Sequence, residues 1–273
     1  MSNLIKLGSG HWSDTFQLND EEVLLVGRRS GAYDRYLDLA QKTQVLSTAN
    51  LSISVPVIKE VISPNTTYPF GAIRETKVQG RPIGHDLETM SEGAKRKLGK
   101  QIAEFLNELH ALLPVHKRFG TSAIKQELSQ FKQGCQNLKG DIPAILLMKI
   151  ERDYKEVFRT RKLVFTHGDI QENNILVDAA NNLCGVVDFG NAAYSIPEMD
   201  YYLIFDFDPV LYSAMSSFST DGLDTIKMYI VKAAKLICYA SQWVTLDNTK
   251  RKRLINRLTR YLQILYPNEI KNQ

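Results

Sequence analysis

Three polar side chains border short apolar segments within residues 163–190 of the sequence. Asp169 follows one apolar run, Asn174 stands directly before the next, and Asp188 ends a third. Such runs are typical of short strands, and the loops at the ends of neighbouring strands carry most binding and catalytic residues. We therefore expect the three side chains to converge on one point of the fold.

A cluster of this composition suits phosphoryl transfer. The transferred group spreads its charge over several oxygens, so the protein mainly supplies positioning and cations. Asp188 and Asn174 carry the hard oxygen ligands that Mg²⁺ prefers. Asp169 suits the other task, which is to accept a hydrogen bond from a substrate hydroxyl and take its proton. Gly168, directly before it, lets the loop turn tightly.

Each of these residues has an ordinary explanation when it is taken alone. An aspartate after a strand is usually a turn former, and an asparagine before a strand usually closes a loop. A lone histidine such as His167 is more often structural than catalytic. Spacing, order and strand context agree for all of them, so the joint pattern favours a catalytic site.

The run HGDIQENN followed by VVDFG resembles the catalytic and metal-binding motifs of the aminoglycoside phosphotransferase and choline kinase superfamily, which is related to the protein kinases. This resemblance implies that Asp169 is the catalytic base and that His167 supports the catalytic loop. It further implies that Asn174 and Asp188 bind Mg²⁺. Asp200, in the segment after VVDFG, would hold the loop in place.

The resemblance covers most of residues 1–205, and the segments 76–84 and 197–204 are closest in character to the 2″-aminoglycoside phosphotransferases. Protein kinases carry a long segment after this motif that holds the protein substrate. Here only residues 191–196 lie between Gly190 and Pro197. The short segment favours a small hydroxyl-bearing substrate and disfavours a protein kinase.

The element pattern predicts an α+β, bilobal, protein-kinase-like fold. A small β-rich N-lobe with one helix, at 31–47, would span residues 1–78, and a larger helical C-lobe would span 79–273. Clefts between lobes are the usual place for a ligand. Strands are expected at 3–7, 14–18, 22–26, 55–62 and 70–78, and C-lobe helices include 143–158 and 222–245.

The segment 7–16 resembles a glycine-rich loop over the phosphates of a nucleotide. Gly8 and Gly10 are present, and Ser13 stands where protein kinases have a third glycine. Backbone N–H groups there would cradle an anion, although a plain hairpin turn explains the pattern equally well. Backbone groups from Glu75 to Val78 would read the base, so the sequence leaves ATP and GTP open as co-substrates.

The lysine that grips the phosphates in this superfamily is missing. Its position falls on Leu25, and Lys42 falls where its glutamate partner is expected. Three explanations compete: a misplaced alignment, a cation moved to Lys42 or Arg29, or a degenerate kinase that binds nucleotide poorly. Because the catalytic motif is intact, we expect a moved cation.

Carboxylates are the expected ligands of a polycationic aminoglycoside, and the C-lobe candidates are Glu172, Asp206 and Asp208. Asp206 and Asp208 serve equally well as helix caps or solvent-facing groups. We expect an aminoglycoside or a similar amino sugar or amino alcohol as the acceptor. The alternatives are a metabolite kinase acting on choline, homoserine or a sugar-like alcohol, and a non-catalytic nucleotide-binding module.

The composition predicts a globular protein, with 44% hydrophobic and 23% charged residues. A net charge of +4 over 273 residues requires neither a nucleic-acid nor a membrane partner. The basic run 250–253 is interleaved with leucines at helical spacing, which favours the outer face of a packed helix. Unpaired cysteines and the lack of a leader segment favour the cytoplasm, and we expect a monomer.

Overall fold

The computed structural model describes residues 4–84, 86–113, 118–242 and 247–270 of the chain. Its first part is a five-stranded antiparallel sheet in the strand order β1-β2-β3-β5-β4. The predicted strands are confirmed with shifted ends, except that residue 3 lies outside the described ranges. The five strands are β1 (Ile5–Ser9), β2 (Ser13–Gln17), β3 (Glu22–Gly27), β4 (Ile58–Ile62) and β5 (Ala72–Thr76).

Helix α1 (Ala32–Thr43) covers one face of this sheet and continues as a 3-10 turn over Gln44–Ser47. Ala32 and Tyr36 are its buried residues on Ile73 of β5, and Leu25 of β3 packs against the same cluster. The apolar stripe of α1 recurs at helical spacing, which explains why this segment folds as a helix on the sheet. Leu25 is thus half-buried against apolar neighbours.

Helices make up most of the remaining chain, and short strands are inserted in their middle. They confirm the predicted α+β architecture, a small β-rich part followed by a larger helical part. Residues 243–245 of one predicted helix lie outside the described ranges. The elements are β6 (Arg81–Pro82), α2 (Asp86–Thr89), α3 (Glu92–His110), α4 (Arg118–Asn137), α5 (Ala144–Thr160), β7 (Val164–Thr166), β8 (Ile175–Val177), β9 (Leu183–Val186), β10 (Ala193–Ser195), α6 (Glu198–Phe207), α7 (Pro209–Phe218), α8 (Thr225–Ala240), α9 (Asn248–Leu265) and α10 (Pro267–Ile270).

Two apolar cores support the helical part. The first lies between α3, the short strands, α6 and α7, and includes Phe105 and Phe165. The second lies between α4, α5, α8 and α9 and includes Phe131 and Tyr154. The short strands pack against the first core, and this packing fixes the positions of the loops that leave them.

The short strands form two small sheets, one of β6, β8 and β9 and one of β7 and β10. The loop from β7 to β8 carries Asp169, and the turn from β9 to β10 carries Asp188. A bridge between Ser54 and Gly185 ties the segment before β4 to strand β9. The small sheets therefore bring both acidic loops to the side that faces the first part of the chain.

No helix among the described residues has the length and apolar character needed to cross a bilayer.

Candidate active site

The Asp169 carboxylate is oriented by two side chains of its own loop. Asn174 donates from Nδ2 to the Asp169 carbonyl oxygen at 2.9 Å and to Asp169 Oδ2 at 3.2 Å. Gln171 donates from Nε2 to the same Oδ2 at 3.1 Å. The amino group of Asn174 is used in the hydrogen bonds to Asp169, so its amide oxygen is available to another ligand.

The protonated form of Asp169 is more stable in the protein than it would be in water. Burial raises the pKa of its carboxyl, and the nearby charge of Asp188 raises it further. His167, Asn174 and Gln171 act in the opposite direction. The dependence on Asp188 shows that the two acidic loops approach each other, as their spacing in the sequence predicts.

His167 joins these two loops from beneath. Its ring is fully buried, and Nε2 donates to the carbonyl oxygen of Val187 at 2.9 Å. The other nitrogen, Nδ1, then accepts from the backbone N–H of Asp169 at 3.2 Å. Its ring also meets Phe189 edge-on, with the centroids 4.4 Å apart. The predicted supporting role of His167 therefore has a structural basis.

Asp188 has an unusual backbone conformation, left-handed with φ of 64°. Few residues other than glycine adopt it, and asparagine and aspartate do so most readily. Its Oδ1 accepts a hydrogen bond from Gly190 N–H at 3.3 Å, and no described cation pairs with it. Asp188 thus presents a carboxylate, and Asn174 an amide oxygen, both of which fit Mg²⁺.

Asp200 holds the catalytic loop, as the resemblance implies. This buried carboxylate accepts from the backbone N–H of His167 at 3.0 Å and from that of Gly168 at 2.6 Å. Gly168 has φ of 78°, and a Cβ there would lie 2.7 Å from the Asn191 carbonyl oxygen. A side chain at this position would therefore displace the loop.

A buried histidine completes the support of Asp200. His110, at the end of α3, donates from Nε2 to Asp200 at 2.9 Å and from Nδ1 to Asp221 at 2.8 Å. Burial acts to lower the pKa of His110, but the bonds to the two carboxylates outweigh it and raise the pKa to about 9. His110 is therefore charged at neutral pH and neutralises part of this buried acidic cluster.

The predicted glycine-rich segment forms β1, a tight turn and β2. Gly8 lies in β1 and Gly10 starts the turn, where its N–H donates to the Ser13 carbonyl oxygen at 2.7 Å. A Cβ on Gly8 would meet nothing within 4 Å, so protein packing does not require this glycine. The Ser13 hydroxyl bonds to the Tyr36 hydroxyl at 2.7 Å, which ties the turn to α1.

The two predicted cations, Lys42 and Arg29, are both engaged by other side chains. Lys42 forms an ion pair with Asp38 on its own helix, and the α1 residues that pack in the cluster beside Leu25 are Ala32, Tyr36 and Leu39. Arg29 bonds to His11 at 3.0 Å. The structure therefore corrects the assignment of Lys42 to the position opposite Leu25.

Glu75 was expected to contribute backbone groups, but its side chain also faces the site. Side chains alternate between the two faces of the sheet along the paired strands β3 and β5. This alternation places Glu75 on the same face as Leu25. Burial, followed by the charge of Asp188, raises the pKa of Glu75 to about 8. Val78 packs against strand β9, where a Cβ on Gly185 would overlap its side chain.

Two of the three predicted substrate carboxylates have internal partners. Asp208 is buried, caps α7 by accepting from Leu211 N–H at 2.9 Å, and binds Lys95 at 2.6 Å. Asp206 pairs with Lys232 at 3.1 Å and also binds the Tyr261 hydroxyl. Asp208 is therefore a structural residue, because both of its oxygens are already used.

Glu172 keeps a free side chain within the described contacts and is half-buried beside the catalytic loop. Of the three carboxylates it alone remains a simple candidate for acceptor binding. Sequence reasoning overlooked Arg35 on α1, which lies near the Gly190 turn, and Trp12 at the tip of the β1–β2 turn. In the sequence, only the residue types of Arg35 and Trp12 point to a role, because the two side chains come together from separate elements of the fold.

Two kinds of comparison relate the chain to known proteins. The model of the APH family, described as the phosphotransferase enzyme family, matches residues 3–219. Aminoglycoside phosphotransferase APH(2″)-Ib with bound ADP is 19% identical, with a TM-score of 0.73 over 96% of this chain and 94% of that one. The GDP complex of aminoglycoside 2′-phosphotransferase-IIIa is 19% identical, with a TM-score of 0.68 over 98% and 93%.

A macrolide 2′-phosphotransferase, MphH from Brachybacterium faecium, has the same fold, with 18% identity and a TM-score of 0.59 over 94% of this chain and 91% of that one. At these identities the similar structures establish the kinase-like fold, while the family match covers most of the chain. The chain therefore belongs to the phosphotransferase enzyme family and is a small-molecule phosphotransferase that acts on a hydroxyl acceptor.

Proposed function

We propose that this protein transfers the γ-phosphoryl group of ATP or GTP, with Mg²⁺, to a hydroxyl of an aminoglycoside antibiotic. The observation that carries the proposal is the oriented Asp169 carboxylate, with the amide oxygen of Asn174 and the carboxylate of Asp188 beside it. Phosphoryl transfer needs a positioned acceptor and fixed cations more than covalent chemistry. This arrangement provides the places for both.

Asp169 orients the acceptor hydroxyl and takes its proton. Its Oδ2 is held by Gln171 and Asn174, which leaves Oδ1 to accept from the substrate. The raised pKa of Asp169 makes it a better base than an ordinary surface aspartate. Asp200 and His110 keep the loop backbone fixed while this happens.

Asn174 and Asp188 would hold Mg²⁺. When bound, the metal would neutralise the charge that develops on the nucleotide phosphates. No group of three or more His, Cys, Asp or Glu side chains suited to a metal occurs among the described residues. The donor set is thus two side-chain oxygens, which is what Mg²⁺ uses when phosphates and water complete its shell.

The Val78 backbone is the best candidate to read the nucleotide base. The N–H groups of Thr76 and Lys77 are used inside the protein, by the carbonyl oxygens of Val57 and Glu21. Within the described part of the chain, no hydrogen bond uses the N–H of Val78. An unpaired donor at this edge of the sheet suits the acceptor atom of a purine.

A second acceptor class is favoured by a specific observation. Asp206 and Asp208 are paired with lysines, so they add little attraction for a polycation. Tyr202 has Lys232 and Lys235 near its ring, both at 5.5 Å from the centroid. These features favour a less cationic hydroxyl compound, such as a neutral sugar-like alcohol or a macrolide, as the alternative acceptor.

The test is Mg²⁺-dependent transfer from ATP and GTP to a panel of aminoglycosides, macrolides and small alcohols. Asp169→Ala removes the proposed base and should abolish transfer. Asp178→Ala is the matched control, because this aspartate caps its own loop through Ala180 and Asn182 and lies outside the site. Turnover with aminoglycosides supports the first proposal, and turnover with the other acceptors alone supports the second. Turnover that survives in Asp169→Ala would contradict both.

A further inference from the structure

We propose that Arg35 of helix α1 supplies the cation that binds the nucleotide phosphates in place of the lysine missing from β3. The inference rests on the proposed function, because it assigns a residue to the nucleotide site of that reaction. It replaces the sequence-based candidates Lys42 and Arg29 with a residue that neither motif nor spacing points to.

Arg35 lies between the two segments that must flank the phosphates. A Cβ built on Gly190 would lie 3.0 Å from Asp188 Oδ1 and 3.9 Å from Arg35 Nη2. The carboxylate and the guanidinium therefore both lie beside Gly190, close to the same point. On the other side, the Arg35 guanidinium carbon is 4.8 Å from the centroid of the Trp12 ring, in the β1–β2 turn.

This position is where a triphosphate has to lie. Asp188 would hold a metal that offsets the charge of the phosphates, which would bring the phosphates within reach of the groups around Asp188. The β1–β2 turn covers the same space from above. The Arg35 guanidinium lies between the turn and the Asp188 segment, so it would contact the phosphates from the side of α1.

Among the described cations around the β1–β2 turn, Arg35 is the one that no carboxylate, carbonyl oxygen or imidazole engages. Its side chain is exposed, and it forms no ion pair with a described carboxylate. The other cations are engaged: Arg28 donates to the Gly10 carbonyl oxygen, Arg29 contacts His11, and Lys42 pairs with Asp38. A guanidinium with all its donors available is the best phosphate ligand in the group.

Trp12 holds the Arg35 side chain without consuming its hydrogen bonds. A guanidinium that stacks on an aromatic ring keeps its N–H groups at the edge, where they can bind an anion. Arg29 also lies over the Trp12 ring, with its guanidinium carbon 5.4 Å from the centroid. The tryptophan thus restricts Arg35 to a small set of positions before nucleotide binds.

The charge balance of the cleft supports the same assignment. Leu25 contributes no charge, and Asp188 brings a carboxylate with which no described cation forms an ion pair. A nucleoside triphosphate brings several further negative charges. Without a cation besides the metal, these groups would repel the nucleotide, and Arg35 is placed to offset them.

The experiment is calorimetric titration of the folded protein with Mg²⁺ and a nucleoside, its diphosphate and its triphosphate, in the adenine and guanine series. Arg35→Ala should weaken the diphosphate and triphosphate by about 10- to 100-fold, the loss expected for a charge-assisted hydrogen bond. The nucleoside should bind as before. Arg35→Lys should restore part of the loss, since it keeps the charge without the planar fork.

Arg74→Ala is the matched control, an arginine on β5 that pairs with Glu22 and Glu60 and shares the face opposite Glu75. It should leave all three affinities unchanged. Equal weakening of nucleoside and nucleotides in Arg35→Ala would mark a general structural defect and overturn the proposal, as would unchanged triphosphate binding. If the unaltered chain binds no nucleotide, the proposed function falls as well, which separates that result from a failure of Arg35 alone.

Discussion

At the scale of single residues, Asn174 is the residue with two tasks. Its amino group holds Asp169 through two hydrogen bonds, and its amide oxygen stays available for a metal. Gln171 shares the first task only, because it donates to the same carboxylate oxygen and has no proposed metal role. Comparing the two therefore separates orientation of the base from metal binding.

We expect Asn174→Ala to lower kcat by about 100-fold or more and to raise the Mg²⁺ concentration needed for half-maximal rate. Gln171→Ala should lower kcat by about fivefold, the value of one hydrogen bond, with the Mg²⁺ requirement unchanged. Titration of the transfer rate with MgCl₂ measures both quantities. An equal shift of the Mg²⁺ midpoint in the two variants would remove Asn174 from the metal site.

At the scale of elements, the helical part depends on close helix crossings. A Cβ on Gly99 of α3 would lie 2.7 Å from Ala214 Cβ of α7. A Cβ on Gly134 of α4 would overlap the carbonyl oxygen of Ile237 in α8. Helix α9 largely follows the pattern that the sequence predicts: Leu254 is buried and Lys252 and Arg253 are exposed, while Arg251 is half-buried.

Gly134→Ala should therefore destabilise the protein although alanine is the better helix former. We expect a loss of about 3 kcal/mol from the forced separation of α4 and α8. Gly93→Ala is the control, because a Cβ there meets nothing within 4 Å, and it should be neutral or stabilising. Urea unfolding measures both, and equal effects would contradict the close crossing.

The link between α3 and α7 gives a second prediction at this scale. Asp208→Ala removes the cap of α7 and leaves the largely buried Lys95 without its ion-pair partner. We expect a loss of about 3 kcal/mol, against about 1 kcal/mol for Asp224→Ala, which removes only the exposed cap of α8. The KM for the acceptor should not change in either variant.

A rise in the acceptor KM of Asp208→Ala, at unchanged stability, would restore this residue to the substrate site. Unfolding curves and steady-state kinetics on the same preparations decide between the two roles.

At the scale of the whole molecule, one buried charge network connects distant parts of the chain to the catalytic loop. His110 at the end of α3 binds Asp200 of α6 and Asp221 of the segment before α8. Asp200 in turn holds the backbone of the loop after β7. Folding of the C-terminal helices is therefore coupled to the position of Asp169.

This network makes stability depend on pH in a defined window. The pKa of His110 rises from 6.5 to about 9 on folding, so its contribution is complete below pH 6.5 and is lost as the pH passes through about 9. A shift of this size corresponds to about 3 kcal/mol. We expect urea unfolding to show this loss in the unaltered chain between pH 6 and 9.5.

His110→Gln should be less stable than the unaltered chain at pH 6, and the difference should shrink towards pH 9.5. His11→Gln is the control, since His11 is exposed and bonds only to Arg29 among the described side chains. A stability difference for His110→Gln that is the same at both pH values would show that His110 is neutral in the folded protein.

The catalytic side of the site could be predicted because its chemistry lies within one short stretch of chain. Asp169, Asn174 and Asp188 border three short strands, of which β8 and β9 pair with each other while β7 pairs with β10, the strand after Asp188. Asp200 was placed correctly for the same reason, as part of a segment with a recognisable pattern. The nucleotide side has no such continuous stretch.

The sequence by itself determined the fold class and the family, and it predicted the residues proposed to carry the transfer. Only the tertiary structure decided that Arg35 lies over Trp12, that Asp208 is an internal cap, and that Glu75 comes close to Asp188. These three features depend on side chains from separate elements that share a space, such as Arg35 of α1 and Trp12 of the turn before β2. Strand and helix periodicity gives the face of each residue along its own element, but the packing of one element on another sets the partner.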